Sequence, residues 1–492
     1  MTLKELWQNI GREAFWLILG HIISALGGLF AIRMLTGYFS REVYGLSWLF
    51  INGVTLIAMV FAHPLAQAVR RFYHEEERRN RLDALLGMVW RFQLWITCGL
   101  TILYAIIVFF FGYAGGENKV SLLIMPAYFF SLASITIAQA LLNTSRKRGS
   151  LVALSLPDAW LKPLGALALC IIWKPSVDAF VLGYALSTIL TGAAGMVWIN
   201  RYGSASLFRQ AMPDTAYVRQ VLPYILPWIG LAGFNWMLSL SDRYIVNMFL
   251  GEALTGTYVA SYQVGSAPFQ FLGGVFGFLV QPIIFQYSSM SVKKGAEKIS
   301  SALVAFAWIS VPMLAAFIIM HQWLMRWLVA PAFWSGVDAI VWIGLGIYMW
   351  VFGNIVMNAL LVMKQTMPLL KISALAAGIN IGLNLLLVPR WGIAGAGIST
   401  FLAYAFNAAA LLYAGKQALE WRFPWQSYWI ALLIAGSAGL AGKLAHLYLF
   451  ESSYTLMAFA GVSSIFLIVT GTFIMLFKNR VTRDYQVMVS RV

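Results

Sequence analysis

The sequence predicts an all-α polytopic membrane protein with about fourteen transmembrane helices. Its 492 residues are 61% hydrophobic and only 11% charged, whereas soluble proteins carry about 25% charged residues. The apolar residues also come in blocks of about 20 or more, which is the length that a helix needs to cross a bilayer. Short polar segments separate these blocks. A large soluble core is therefore excluded.

An internal repeat predicts two similar six-helix lobes. When the chain is aligned with itself, Gly45 falls beside Gly256, Asn52 falls beside Gln263, and one Ser-Thr pair falls beside another in "ALSTIL" and "GISTFL". Six is an even number of spans, so both lobes have the same orientation and are related by a pseudo-two-fold axis along the membrane normal. We expect a polar linker at 201–220 between them. The predicted division is an N-terminal lobe at 1–205, a C-terminal lobe at 206–418, and an additional two-helix hairpin with a cytoplasmic tail at 419–492.

Charge distribution predicts the orientation in the membrane. Most of the 34 lysine and arginine residues fall in the two tails and in alternate loops, and positively charged loops stay in the cytoplasm. Both termini are therefore predicted to be cytoplasmic, which requires an even number of spans.

The first span is expected to remain as a signal anchor, since it lacks a clear cleavage site. The alternation also argues against nucleic acid as the partner of the net charge of +16.

The predicted cytoplasmic end of the second span is strongly basic. Gln67, Arg70 and Arg71 close this span, and they form either an ordinary positively charged loop or a basic mouth that captures a lipid diphosphate. The charged and apolar residues of 70–92 predict an amphipathic helix that lies along the membrane surface.

Three ionisable residues lie inside predicted spans at similar depth. Arg33 is near the outer end of the first span, and Asp242 and Arg243 are in the seventh, in a run without other charges. An ionisable group at the centre of a membrane helix costs at least about 2.5–3.5 kcal/mol, so such residues indicate a functional site. Sequence neighbours on a helix point about 100° apart, so we expect Asp242 and Arg243 to face different ways, with Arg243 toward a cavity. Helix tethering or contact with the lipid headgroups remains the alternative for all three.

Several other polar residues of the spans are candidates for the same cavity. Asp158 and Lys162 are spaced to pair within one helix, as a structural or a coupling pair, and Pro157 and Pro163 predict a break there. The remaining candidates are amide or imidazole side chains that hydrogen-bond either a substrate or a neighbouring helix: His21, Asn52, Asn235, Gln263 and Gln270.

Four segments resemble one family of transporters. They are "RMLTGYFSREVYGLSWL" (33–49), "LLNTSRKRGSLVALS" (141–155), "SLSDRYIVNMFLGEALTGTYVASY" (239–262) and "NLLLVPRWGIAGAGISTFLAY" (384–404). On these motifs the chain is similar to the Wzx-type polysaccharide flippases of the multidrug/oligosaccharidyl-lipid/polysaccharide exporter superfamily.

The resemblance implies a function and its partners. It implies a flippase, not an enzyme, that carries an undecaprenyl-diphosphate-linked oligosaccharide from the inner to the outer leaflet of the bacterial cytoplasmic membrane. The implied partners are the lipid-linked oligosaccharide, membrane lipids, and polysaccharide polymerase and chain-length proteins. Protons, sodium ions and the membrane potential remain open as energy sources. We expect no cofactor and no metal, since no phosphate-binding glycine loop and no Cys/His cluster occurs.

Two other functions remain open. A cation-coupled multidrug antiporter of the same superfamily would favour carboxylates in its site, but the predicted spans contain three basic residues and two acidic ones. A membrane-embedded polysaccharide polymerase or ligase typically has a long outer loop, and the predicted outer loops are all short.

Overall fold

A computed structural model describes residues 3–111, 119–202, 215–449 and 454–476, and these residues are almost entirely helical. The polytopic all-α class is confirmed. The helices are α1 (Leu3–Tyr38), α2 (Arg41–Arg78), α3 (Leu82–Phe111), α4 (Lys119–Thr144), α5 (Arg148–Ile172), α6 (Val177–Tyr202), α7 (Thr215–Met290), α8 (Val292–Leu328), α9 (Val337–Val362), α10 (Thr366–Ala418), α11 (Trp425–Tyr448) and α12 (Leu456–Leu476), with a short 3-10 helix at Pro331–Gly336.

Two of the helices are interrupted at a glycine. Gly251 in α7 (φ 80°) and Gly392 in α10 (φ 58°) adopt positive φ values, which glycine tolerates because it lacks a Cβ. Each of these elements is therefore two helices joined across a kink.

Within the described ranges, eleven helices are long and apolar enough to cross a membrane. The number of about fourteen spans stays a prediction.

The chain forms two compact units. The first comprises residues 1–247 together with Gly251–Gly256, and the second comprises Met248–Leu250 together with the residues from Thr257 onward. The first segment of α7 thus packs with the N-terminal unit. The predicted lobe boundaries remain a prediction, and the predicted linker at 201–220 lies largely outside the described residues.

Small residues let the helices of the first unit approach closely. A Cβ at Gly27 would lie 2.8 Å from the indole nitrogen of Trp160, which donates a hydrogen bond to the Ile23 carbonyl at 3.2 Å. Close contacts of Gly165 with Gly183, and of Gly192 with Ser131, join α5 and α4 to α6. Such small-residue contacts drive helix packing in membranes, where lipid is as apolar as the side chains.

The second unit is organised around aromatic side chains. Phe269 from the second segment of α7 packs edge-on against Phe317 of α8 and Tyr348 of α9. At the far end of α8, Trp323 is buried against His446 of α11 and Tyr454, which precedes α12. These contacts attach the additional helix pair to the rest of the unit.

Two expectations about local structure are wrong. The predicted surface helix at 70–92 is instead the end of α2, a turn at Arg79–Arg81 and the start of α3, because carboxylates in the last turns of α2 pair with the arginines, as Glu75 does with Arg79 at 3.0 Å. The break expected at Pro157 and Pro163 is absent from the described α5, which runs through both prolines. A proline removes one backbone donor and does not by itself end a membrane helix.

A close contact joins the two glycines that the repeat aligns. A Cβ on Gly45 would lie 2.6 Å from the backbone nitrogen of Gly256 and would also contact the Glu252 carbonyl. The start of α2 therefore meets the residues after the Gly251 kink with no room for a methyl group.

We predict that Gly45→Ala destabilises the protein by about 1–3 kcal/mol, the usual cost of overpacking. Thermal unfolding in detergent measures the effect. Gly37→Ala is the matched control, since nothing lies within 4 Å of a Cβ there. Equal melting temperatures for the two variants would contradict the close contact.

Candidate functional site

The first segment of α7 lies antiparallel to α2, and we call this contact the α2–α7 seam (α2 with residues 217–247 and 251–256). Tyr224 packs edge-on against Phe72, and Trp228 against His63. Further along, the Trp236 indole donates to the Asn52 carbonyl at 3.1 Å. Most of the candidate residues in the first unit lie along this seam.

The seam contains a buried ion pair. The side chains of Asp242 and Arg243 are only 1% and 5% exposed, and Asp242 Oδ1 lies 3.3 Å from Arg243 Nη1. The same Oδ1 accepts the backbone N–H of Arg243 at 2.8 Å, and Nη1 also donates to the Ser239 carbonyl at 2.8 Å. Each charge thus has a partner of opposite sign, as burial of an ion requires.

We expected the side chains of these two neighbours to face different ways. For their charged groups this expectation is wrong. Their Cα–Cβ bonds diverge, but the long arginine side chain folds back by one helical turn and meets the aspartate. A phosphate that bound Arg243 would therefore have to compete with Asp242. The cavity role of Arg243 stays a prediction.

Asn52 lies on the α2 side of the seam, where its carbonyl accepts from Trp236 and its neighbour Gly53 faces the Tyr244 hydroxyl. It is only 5% exposed, and its side-chain nitrogen has no hydrogen-bond partner among the described residues. A buried donor without a partner costs about 1–3 kcal/mol, so this amide is suited to a ligand oxygen. Asn235, in contrast, has an exposed side chain on the α7 side of the seam.

The other candidates of the spans are distributed over both units. On α1, His21 is half-buried and Arg33 is exposed. Gln263 is half-buried and Gln270 is exposed, and both lie on the second segment of α7 and belong to the second unit. Their roles in substrate binding stay predictions.

Asp158 and Lys162 form the intrahelical ion pair that their spacing predicts. Asp158 Oδ1 and Lys162 Nζ are 2.7 Å apart on α5. A structural and a coupling role both remain open for the pair.

The predicted cytoplasmic mouth lies where α2 approaches the start of α7. Gln67 Nε2 is 3.2 Å from His63 Nε2, Arg70 is exposed, and Arg71 is exposed with its guanidinium 4.0 Å from Glu75. These cations are accessible, as capture of a lipid headgroup would require.

Sequence reasoning missed a buried amide pair in the second unit. Asn380 and Asn384 of α10 are fully buried, and Asn384 Nδ2 donates to the Asn380 carbonyl at 2.8 Å and to its Oδ1 at 3.2 Å. The sequence signal that could have found this pair is the spacing of two amides by one helical turn in an apolar helix.

In the described residues no cluster of His, Cys, Asp and Glu could hold a metal ion.

The family is shown by sequence comparison. The sequence pattern of the family described as "Polysaccharide biosynthesis protein" matches residues 10–288, more than half of the chain. The chain belongs to this family. The match includes most of α1, all of α2–α6 and the whole α2–α7 seam. No curated protein matches the sequence closely enough to be reported as a relative.

Solved structures of transporters share the fold. The lipid II flippase MurJ, in an inward closed conformation, superposes with a TM-score of 0.74 at 16% identity, over 94% of this chain and 99% of that one. An inward-facing multidrug resistance MATE transporter gives 0.63 at 12% identity, over 81% and 94%. A MOP superfamily transporter from Pyrococcus furiosus, described as having a binding pocket of reverse polarity, gives 0.59 at 13% identity, over 83% and 94%. These likenesses show the fold.

We predict that the buried ion pair is energetically coupled. Arg243→Gln should destabilise the protein by about 3–5 kcal/mol, because it removes the partner of a buried carboxylate. The double variant Asp242→Asn/Arg243→Gln should recover much of this loss. Thermal unfolding of both single variants and the double variant measures the coupling, and strictly additive effects would show that the pair is not a unit.

Proposed function

We propose that this membrane protein is a flippase for a polyprenyl-diphosphate-linked oligosaccharide, undecaprenyl diphosphate being the lipid carrier. It moves this lipid from the inner to the outer leaflet of a bacterial cytoplasmic membrane, with both termini in the cytoplasm. The polysaccharide biosynthesis family and the MurJ-like fold support transport of a lipid-linked glycan. The observation that carries the proposal is the buried Asp242–Arg243 pair on the α2–α7 seam.

The ion pair supplies a way to bind and release an anionic head group. A diphosphate can accept two parallel hydrogen bonds from a guanidinium, which is geometrically specific and stronger than a neutral hydrogen bond. To bind in this way it displaces Asp242 from Arg243. The competition keeps the interaction strong enough to select the diphosphate and weak enough to release it.

The same exchange provides a coupling step. A carboxylate that loses its arginine in an apolar environment becomes costly as an ion, so it gains a proton or a cation. Asp242 therefore links head-group binding to a proton or sodium gradient. The membrane potential is a further energy source, worth about 2.3 kcal/mol per charge per 100 mV.

The remaining candidates have places in this scheme. Arg70 and Arg71 gather the anionic lipid at the cytoplasmic side. The Asn52 side-chain nitrogen donates to a phosphate or sugar oxygen next to the ion pair. Arg33, His21, Asn235, Gln263 and Gln270 contact the head group or its sugars during alternating access. In biosynthesis the partners are the enzymes that polymerise the glycan and set its chain length.

The cation-coupled multidrug antiporter is the second candidate, favoured by the likeness to the MATE transporters. A cationic drug would pair with Asp242 or Asp158. Both carboxylates already have a cation beside them in this chain, Arg243 and Lys162. This arrangement leaves a net-neutral site, which suits an anionic cargo that takes over a cation better than a cationic cargo.

We predict that Arg243→Lys lowers flipping of a lipid-linked oligosaccharide by about tenfold or more. Lysine keeps the charge but loses the paired donors, and a charge-assisted hydrogen bond is worth about 1.5–3 kcal/mol. The measurement is leaflet exchange of a defined undecaprenyl-diphosphate oligosaccharide in vesicles that contain the purified protein.

Arg219→Lys is the matched control, since Arg219 is an exposed cation near the start of the same helix. Wild-type rates in both variants would reject the role of Arg243. Export of cationic dyes by the wild type, without flipping of any lipid-linked glycan, would establish the antiporter instead.

A further inference from the structure

The first unit contains a cavity that none of the candidate residues lines. Its volume is about 500 Å³, and α2, α3, α4 and the first segment of α7 line it. Its walls include Leu49, Ile57, Leu100, Phe129 and Tyr244. Ligand pockets have volumes of about 300–1,000 Å³. The size is that of a binding site.

The walls offer mainly hydrocarbon, with Tyr104 and three further hydroxyl groups among the apolar side chains. The hydroxyl of Thr97 donates to the Gln93 carbonyl, and that of Thr101 to the Thr97 carbonyl, both at 2.8 Å. The Tyr244 hydroxyl donates to the Leu49 carbonyl, also at 2.8 Å. Backbone oxygens satisfy these three donors, so the surface that a ligand would meet is mainly apolar. The ligand chemistry is therefore that of an alkyl or prenyl chain.

The position of the cavity connects it to the candidate head-group site. Tyr244 of the wall directly follows Arg243, and Gly53 of the wall directly follows Asn52. A Cβ on Gly53 would lie 3.4 Å from the Tyr244 hydroxyl, so these two residues meet in the wall of the cavity. The residue that precedes Tyr244 carries the buried guanidinium, and the residue that precedes Gly53 carries the buried amide.

We propose that this cavity binds a segment of the polyprenyl chain of the transported lipid. The head group carries charge that complements Arg243, and the chain that leaves it is purely apolar, so a single lipid satisfies both neighbouring surfaces. This proposal rests on the proposed function, because it assigns the tail of the same substrate. By the predicted orientation the cavity lies toward the outer side of the membrane, so it holds the chain as the lipid arrives in the outer leaflet.

The test is photo-crosslinking with a polyprenyl phosphate that carries a diazirine in its chain. The full-length protein is reconstituted in vesicles of phosphatidylethanolamine and phosphatidylglycerol and illuminated. Mass spectrometry then identifies the crosslinked residues. We expect crosslinks on the cavity-lining segments of α2, α3 and α4, and excess unlabelled polyprenyl phosphate should abolish them.

Leu100→Trp fills the cavity and should reduce these crosslinks by about tenfold. Ile102→Trp is the matched control, because Ile102 lies on the same helix but is 60% exposed and outside the lining. Thr101→Phe narrows the cavity with a smaller side chain if Leu100→Trp does not fold. Unchanged labelling in a folded cavity-filling variant would overturn the proposal.

Two further outcomes separate the tail site from the function. Equal labelling of the same segments by a phosphatidylglycerol with a diazirine in its acyl chain, removed equally by Leu100→Trp, would show that ordinary acyl chains occupy the cavity, and would overturn the assignment to the polyprenyl chain. Crosslinks that Leu100→Trp removes, in a protein that flips no lipid-linked glycan, would support the tail site and reject the proposed function. Flipping of a lipid-linked glycan by a wild-type protein that shows no such crosslinks would support the proposed function and reject the tail site.

Discussion

The buried pair of Asp242 and Arg243 is the interaction on which this account depends. Two charges on adjacent residues have been removed from water inside an otherwise apolar helix, and each is tolerated because the other is 3.3 Å away. Such a pair contributes little net stability compared with apolar packing, so its presence calls for a functional reason. In the proposed function, an anionic ligand that replaces the aspartate at the guanidinium would be that reason.

The α2–α7 seam holds this pair in place. Close packing of Gly45 against Gly256 fixes the end of the seam beside the Gly251 kink, and hydrogen bonds from Trp236 and Tyr244 to backbone carbonyls of α2 fix its centre. An apolar cavity on one side of the seam and a buried polar pair next to it create two environments within a few residues. A lipid with a charged head and a hydrocarbon chain has the same two-part character, which links the local structure to a lipid substrate.

The sequence was sufficient for the class of fold, since blocks of apolar residues and alternating basic loops follow from the energetics of the bilayer. It also located the Asp158–Lys162 pair, because a spacing of four residues brings side chains together on any helix. It failed where a side chain or a helix end has freedom that spacing does not constrain. The arginine folded back toward Asp242, α2 continued through its charged last turns, and α5 continued through two prolines. The contact of Gly45 with Gly256 and the apolar cavity depend on tertiary packing, which periodicity does not report.

The most direct measurement of the central claim is an experimental structure of the protein bound to a short-chain polyprenyl-diphosphate sugar. The account predicts that phosphate oxygens contact the Arg243 guanidinium and that Asp242 Oδ1 has moved away from Arg243 Nη1, beyond the 3.3 Å that now separates them. A complex in which the Asp242–Arg243 contact is intact and the diphosphate is held by other residues would contradict it.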